Sequence, residues 1–184
     1  MKTSIRAFVA ATLAIGLNSS LSAAPVQGTP GPSDSTGTFE ITLGITKQII
    51  VTSLADLPLP SGVAGNPITG QEDICVGGIG FERYSIDLLS ANGSSGGTGT
   101  EPYELAGVND SLPYTVEFLD NIDNSGTRYT PAADGSIADT FLRTQTLSCT
   151  TENARIYVTV LATDWESASS ESYADTLTVT VTAE

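Results

Sequence analysis

Apolar and polar residues alternate strictly in two segments that lie far apart along the chain. Near the front, the alternation runs through Phe39–Ile45, and the same parity resumes at Ile49 and Val51. Near the back, Thr176–Val181 alternates threonine with leucine or valine. Spacing with a period of two is typical of β-strands that have one buried face. The front segment therefore predicts one strand, or two strands along one ribbon, and the back segment predicts the last strand of a sheet.

Further strands are predicted between these two segments. Tyr84–Leu88, Leu112–Phe118 and Arg155–Leu161 alternate in the same way, and loops rich in glycine, asparagine and serine separate them. No segment outside the first residues shows a convincing helical period. Short strands at such intervals, rich in β-branched residues, predict an all-β sandwich.

The first residues predict a targeting segment. Lys2 and Arg6 precede an apolar run over residues 7–17, and small or neutral residues over 21–23 suit cleavage after Ala23. This layout is typical of a secretory signal and is too short for a membrane span. We therefore expect a signal peptide over 1–23, a flexible Pro/Gly/Ser-rich leader over 24–36, and an exported chain with no membrane span.

Charge and cysteine content narrow the possible partners and the compartment. Without Lys2 and Arg6, 5 basic residues stand against 21 acidic ones, a net charge of −16. Such acidity repels nucleic-acid backbones, so we expect no nucleic-acid partner. Cys75 and Cys149 are the two cysteines. In an oxidising compartment this pair most simply forms one structural disulfide.

Residues with catalytic or metal-binding chemistry are sparse. The chain has no histidine, and no phosphate-binding glycine motif appears. We therefore expect no enzymatic activity, no cofactor and no histidine-based metal site. Asn121, Asp123, Ser125 and Gly126 follow the opening spacing of a calcium loop, but Ala132 stands where the bidentate glutamate is needed. A polar turn explains this segment better.

The two end strands carry the functional hypothesis. A strand with a buried face exposes an edge that invites pairing unless neighbours cover it. A loose front strand and an unfinished last sheet favour a subunit that completes its neighbour and is completed in turn. Phe39, Ile41, Leu43 and Ile45 would then fill a groove of another copy. The alternative is that they form the first strand of their own sandwich.

Four short motifs, in order, resemble one known family. The segment GTFEITLGI over Gly37–Ile45 resembles the donor strand of archaic chaperone–usher pilins, which share the spore coat protein U domain. YSIDL over Tyr84–Leu88, SLPY over Ser111–Tyr114 and YADTLTVTV over Tyr173–Val181 agree with the same family. One departure is Gln48–Ile50, where members commonly carry a cysteine.

The resemblance implies an incomplete immunoglobulin-like β-sandwich that lacks its last strand and is completed by donor-strand exchange. It implies a donor strand over 37–46 and a pilin domain over 47–184. The implied partners are identical or related subunits, a periplasmic chaperone and an outer-membrane usher. The implied product is an extracellular pilus (fimbria) that serves cell adhesion and biofilm formation.

A rival hypothesis is a self-contained secreted sandwich that binds carbohydrate or another surface ligand. Such a site needs exposed aromatic side chains on one sheet face. Trp165, Tyr103 and Tyr129 are the main candidates.

Overall fold

The computed structural model describes residues 24–184. The predicted signal peptide, residues 1–23, lies outside the described residues. Two units are distinguished: residues up to Gly44, and Ile45–Glu184. In the described part of the first unit, Val26 and Thr38 form one antiparallel bridge and no strand is assigned. Over the described residues, no helix is both long enough and apolar enough to span a bilayer.

The second unit contains the regular elements of the described chain. One short helix, α1, covers Ala162–Trp165. The strands are Gln48–Thr52 (β1), Ile68–Ile79 (β2), Arg83–Ser90 (β3), Glu104–Ala106 (β4), Ser111–Pro113 (β5), Thr115–Leu119 (β6), Phe141–Leu142 (β7), Ala154–Val160 (β8) and Leu177–Ala183 (β9).

These strands form a β-sandwich. One sheet has the order β1-β2-β8-β6, the second has the order β7-β3-β9, and β4 pairs with β5. All pairs within the sheets are antiparallel. The inner faces of the two sheets share one apolar core, in which Phe118 of β6 meets Phe141 of β7 at a ring-centroid distance of 4.8 Å. The prediction of an all-β sandwich is confirmed.

Alternation along the strands explains which residues enter this core. In β8, Ile156, Val158 and Val160 are buried on the inner face. In β3, Tyr84, Ile86 and Leu88 are buried in the same way. A strand has side chains on alternate faces, so apolar residues at every second position create one continuous inner surface.

Of the alternating segment near the front of the chain, only the second half forms a strand. Gln48–Thr52 pairs with β2, with Val51 opposite Val76. Phe39–Ile45 has no strand assignment. The prediction of one ribbon over both halves is therefore too broad for a single copy, because β2 supplies ladder partners only from Gln48 onward.

The disulfide closes the outer face of β2. Cys75 and Cys149 are bonded, with Cα atoms 5.7 Å apart. Cys75 is fully buried, and a Cβ at Gly77 would lie 2.3 Å from Thr146 O and 2.9 Å from Cys149 Sγ. The outer face of β2 is thus covered by chain.

Candidate strand-accepting groove

Two edge strands of the sandwich lie beside one another. β1 is the edge of the larger sheet and β9 is the edge of the smaller one, and each pairs with one neighbour among the described strands. Their Cα atoms approach within 8 Å. At one end, Lys47 Nζ, just before β1, donates to the carbonyl of Glu184, just after β9, at 3.1 Å. We call the strip between these two strands the β1/β9 groove.

Burial falls sharply from the sheet centres toward this groove. Ile86 and Leu88 of β3 are fully buried, whereas Val181 and Val179, which stand opposite them in β9, are half-buried. These β9 side chains pack against the core and also reach its uncovered margin.

The same gradient appears on the other side. Val76 of β2 is fully buried, and Val51, opposite it in β1, is half-buried. An apolar strip is therefore left partly open along both edges. A cross-strand neighbour on each edge would cover it.

At the β9 start, the groove widens into a cavity of about 280 Å³. Its walls include Leu54, Leu57 and Leu59 on the β1 side and Leu177 and Val179 on the β9 side. Drug-sized ligands usually occupy cavities of roughly 300–1,000 Å³. Asp56, Glu72 and Asp175 also line it, so the cavity combines apolar side chains with three carboxylates.

A hydrogen-bond network holds the start of β9 at this cavity. Asp175 Oδ2 accepts from Ser90 Oγ and from Tyr114 Oη, both at 2.6 Å, and Asp175 Oδ1 accepts from Asn92 N at 3.1 Å. Ser90 is fully buried, and its Oγ accepts in turn from Gly93 N at 2.7 Å. Burial is the main cause that raises the pKa of Tyr114, and the hydrogen bond to Asp175 raises it further. The network fixes the Asp175 carboxylate at the rim of the groove.

The four residues predicted to form the donor strand are exposed. The exposed fractions of Phe39, Ile41, Leu43 and Ile45 are 76%, 82%, 85% and 63%. Isolated exposed apolar residues are ordinary, but a period-two series of four would form a contiguous apolar strip in an extended strand. Their role in a second copy stays a prediction.

The aromatic residues of the rival hypothesis belong to the fold. Tyr103 is buried and donates its hydroxyl to Leu88 O at 2.9 Å. The half-buried Tyr129 packs edge-on against Phe141, at 5.0 Å between centroids. Trp165 lies on α1, is half-buried, and donates Nε1–H to Asn66 O at 3.0 Å. The side chains expected to form a binding platform are thus engaged in packing.

A larger cavity, of about 410 Å³, lies near the β6 edge. Tyr103 and Tyr114 line it, and both hydroxyls are committed to Leu88 O and Asp175. Pro102, Pro113 and Leu161 supply much of the remaining wall. Two carboxylates and three hydroxyls line it as well, those of Glu101, Asp164, Thr115, Thr130 and Thr159.

The acidic segment near Asp123 is a self-bonded turn. Asp123 Oδ1 accepts from Ser125 Oγ at 2.6 Å and from Ser125 N at 2.9 Å. These hydrogen bonds lower the pKa of Asp123. Within residues 24–184, no group of three or more Cys, Asp or Glu side chains is arranged to hold a metal ion.

Sequence reasoning missed two parts of the groove. It assigned no role to Leu57 and Leu59, yet both are half-buried against the core. Their spacing of two was the available signal. It also gave no role to Asp175, whose side-chain partners lie 61 to 85 residues away in sequence and cannot be identified from a local pattern.

Comparison with known proteins finds a similar fold in one solved structure. No family model matches the chain, and no curated protein matches it. The fold is similar to a chain of a solved structure described as a chaperone–tip adhesin complex in CFA/I fimbriae biogenesis, with a TM-score of 0.47 and 18% identity. The match covers 74% of this chain and 42% of that one, so the chain spans less than half of its length. At these values the likeness assigns no function.

Proposed function

We propose that this chain is a structural subunit of an extracellular fibre of the chaperone–usher type. Each copy accepts a β-strand in its β1/β9 groove and donates its own Phe39–Ile45 segment to the next copy. Two features of the molecule support this proposal most directly. Four alternating apolar side chains are exposed in the donor segment, and the two neighbouring edges of the sandwich leave an apolar strip half-covered. The sequence motifs resembling archaic pilins support the same role.

The energy available from such insertion is substantial. Burying one large apolar side chain is worth about 1.5–3 kcal/mol, so four give about 6–12 kcal/mol. Pairing on both sides would add backbone hydrogen bonds along two edges, which set the register. The cost of association, about 4–15 kcal/mol, is of similar size. Stable assembly therefore needs the whole segment in register rather than one or two anchor residues.

Insertion also requires the groove to open. A strand placed between β1 and β9 at the usual spacing of about 4.8 Å holds the outer strands about 9.6 Å apart. Their Cα atoms now come within 8 Å. Insertion of a free strand is therefore slow, and a partner that keeps the edges apart before assembly would speed it. A periplasmic chaperone lending a temporary strand, followed by exchange at an outer-membrane usher, fits that requirement.

The disulfide suits this location. Disulfides persist in oxidising compartments such as the periplasm and the cell exterior, and Cys75 is bonded to Cys149. In this proposal the fibre mediates surface adhesion and biofilm formation. The subunit performs no catalytic step and uses no cofactor.

Substituting one exposed donor residue tests the proposal. Leu43→Asp places a charge on a side chain that is 85% exposed in the single copy, so folding should be unaffected. In an acceptor groove the same charge would be buried without a partner. We expect the wild-type chain from Ala24 to form polymers and the Leu43→Asp chain to remain monomeric with an unchanged circular dichroism spectrum. Size-exclusion chromatography with light scattering measures both.

Val108→Asp is the matched control. Val108 is 90% exposed and lies outside the donor segment, so this chain should polymerise like the wild type. Polymers of unchanged size in the Leu43→Asp chain would contradict the proposal. So would an equal loss in both variants, which would indicate that added negative charge alone prevents association.

A further inference from the structure

We infer that Lys47 of a donating copy pairs with Asp175 of the accepting copy, and that this ion pair sets the register and direction of the inserted strand. The inference rests on the proposed strand exchange. The ion pair can form at the end of the β1/β9 groove only when the strand is inserted in the correct register and direction.

The register follows from the two alternating patterns. In β9, Leu177, Val179, Val181 and Ala183 are half-buried, and the threonines between them are exposed. An antiparallel donor that places Ile45 opposite Leu177 also places Leu43 opposite Val179. It continues to Phe39 opposite Ala183, so every apolar donor side chain meets an inward-facing residue. The donor's apolar segment and the apolar part of β9 have the same length of seven residues.

One further step along the same register brings Lys47 opposite Asp175. Lys47 continues the odd parity of the donor's apolar positions, so in an extended donor its side chain lies on the groove face. Asp175 is half-buried and lines the groove cavity. In a parallel insertion, Lys47 would lie beyond Ala183, at the far end from Asp175. The ion pair is therefore available in one direction only.

Asp175 has room for this partner. An ionised carboxylate offers about four acceptor positions. In the described structure three are used, by the neutral donors Ser90, Tyr114 and Asn92. Glu72 and Asp56 line the same cavity. The surroundings of Asp175 are therefore negatively charged and favour a cation.

Lys47 is able to move to a new partner. It is exposed, and its one described hydrogen bond is to the backbone carbonyl of Glu184 at 3.1 Å. Exposed hydrogen bonds of this kind exchange readily with water and add little net stability. When Lys47 leaves Glu184, the hydrogen bond that joins the ends of β1 and β9 is lost. The β1/β9 groove of the donating copy would then open more easily at that end.

Peptide binding tests the inference without altering the acceptor's fold. The acceptor is the chain from Ala24 carrying Leu43→Asp, a substitution that prevents its own donor segment from inserting into another copy. The probe is a fluorescent peptide of residues 37–48, measured by anisotropy at about 0.01 M and about 1 M salt, where the Debye lengths are about 30 and 3 Å. A second peptide carries Lys47→Gln. A third carries Gly37→Lys with Lys47→Gln, which keeps the net charge but moves the lysine to the other end.

At low salt we expect the unchanged peptide to bind roughly fivefold more tightly than either variant, the upper range for a cross-strand ion pair. At high salt the three affinities should converge. In an acceptor that also carries Asp175→Asn, the advantage of the unchanged peptide should vanish while the Lys47→Gln peptide binds as before.

The outcomes separate the two proposals. Equal binding of all three peptides at low salt would overturn the Lys47–Asp175 pair and leave strand acceptance standing. Equal binding of the unchanged and the lysine-shifted peptides, both tighter than Lys47→Gln, would reduce the effect to net charge and also overturn the pair. If no peptide binds, strand acceptance itself fails and the pair fails with it.

Discussion

Single polar side chains hold the loops around the sandwich in place. Asp110 joins the segment after β4 to the segment before β9. Its Oδ1 accepts from Tyr173 Oη at 2.6 Å and from Ser170 Oγ at 2.7 Å, and its Oδ2 accepts from Ser169 N at 2.8 Å. These hydrogen bonds, with that from Tyr173 the largest cause, lower the pKa of Asp110 to about 2.

The Asp110 network predicts a pH dependence. Because the folded-state pKa lies below the ordinary value of 3.8, the ionised carboxylate stabilises the fold above about pH 4. This contribution is lost as the pH falls toward 2. We expect Tyr173→Phe to raise the pKa of Asp110 toward its ordinary value and to make this pH-dependent contribution smaller. An NMR titration of the Asp110 carboxyl group measures the pKa.

Tyr157→Phe is the control for this titration. The Tyr157 hydroxyl donates to Asn124, not to Asp110, so the pKa of Asp110 should stay near 2. An Asp110 pKa that does not change in the Tyr173→Phe chain would refute this description of the network.

At the scale of single elements, β2 shows where sequence patterns stop being informative. Ile74 and Val76 enter the core, while Cys75 and Gly77, at the alternate positions, lie under the segment that the disulfide attaches. Both faces are covered, so the alternation that revealed β3, β8 and β9 is absent here. A side chain at Gly77 would also meet Thr146 O at 2.3 Å. Close approach of the backbone explains a glycine that resembles a turn residue in the sequence.

The β1/β9 groove and the donor segment were predictable from the sequence only in part. Alternation revealed β9 and Phe39–Ile45, because each has one apolar face. The half-open edge between β1 and β9 depends on the strand order, which places two elements about 130 residues apart side by side. The position of Asp175 at its rim likewise depends on hydrogen bonds to distant residues.

The disulfide is the main covalent constraint on β2 and predicts a measurable stability effect. It joins residues separated by 74 positions, for which chain-entropy reasoning gives about 4–5 kcal/mol. We expect Cys75→Ala with Cys149→Ala to lower the free energy of unfolding by about 2–5 kcal/mol. Urea denaturation of the monomeric Leu43→Asp chain, with and without this pair of substitutions, measures the difference.

Reduction of the cysteine-containing chain provides the control. Dithiothreitol should reproduce the loss in that chain and leave the double-alanine chain unchanged. A double-alanine chain as stable as its parent would show that the disulfide contributes nothing to the fold.

At the scale of the whole molecule, charge restricts how copies approach one another. Every basic side chain in residues 24–184 makes an internal hydrogen bond or ion pair: Lys47 with Glu184, Arg83 with Thr140, Arg128 with Glu117, Arg143 with Phe81 and Arg155 with Asp73. Residues 24–184 of each copy hold 5 basic and 21 acidic residues, so copies repel one another in general and association needs a specific insertion strong enough to overcome that repulsion.

Moving the donor segment to the other end of the chain tests the central claim most directly. Two oxidised chains are compared by thermal unfolding and light scattering: residues 24–184 unchanged, and residues 47–184 followed by a flexible linker and residues 37–46. Self-insertion should stabilise the rearranged chain by several kcal/mol, and each kcal/mol raises the melting temperature by about 2–4 °C in domains of this size. We expect a rearranged monomer that melts tens of degrees above the unchanged chain. An unchanged chain that is already a stable monomer, with a weaker rearranged one, would show that Phe39–Ile45 belongs to its own sandwich and would favour a self-contained secreted binding module.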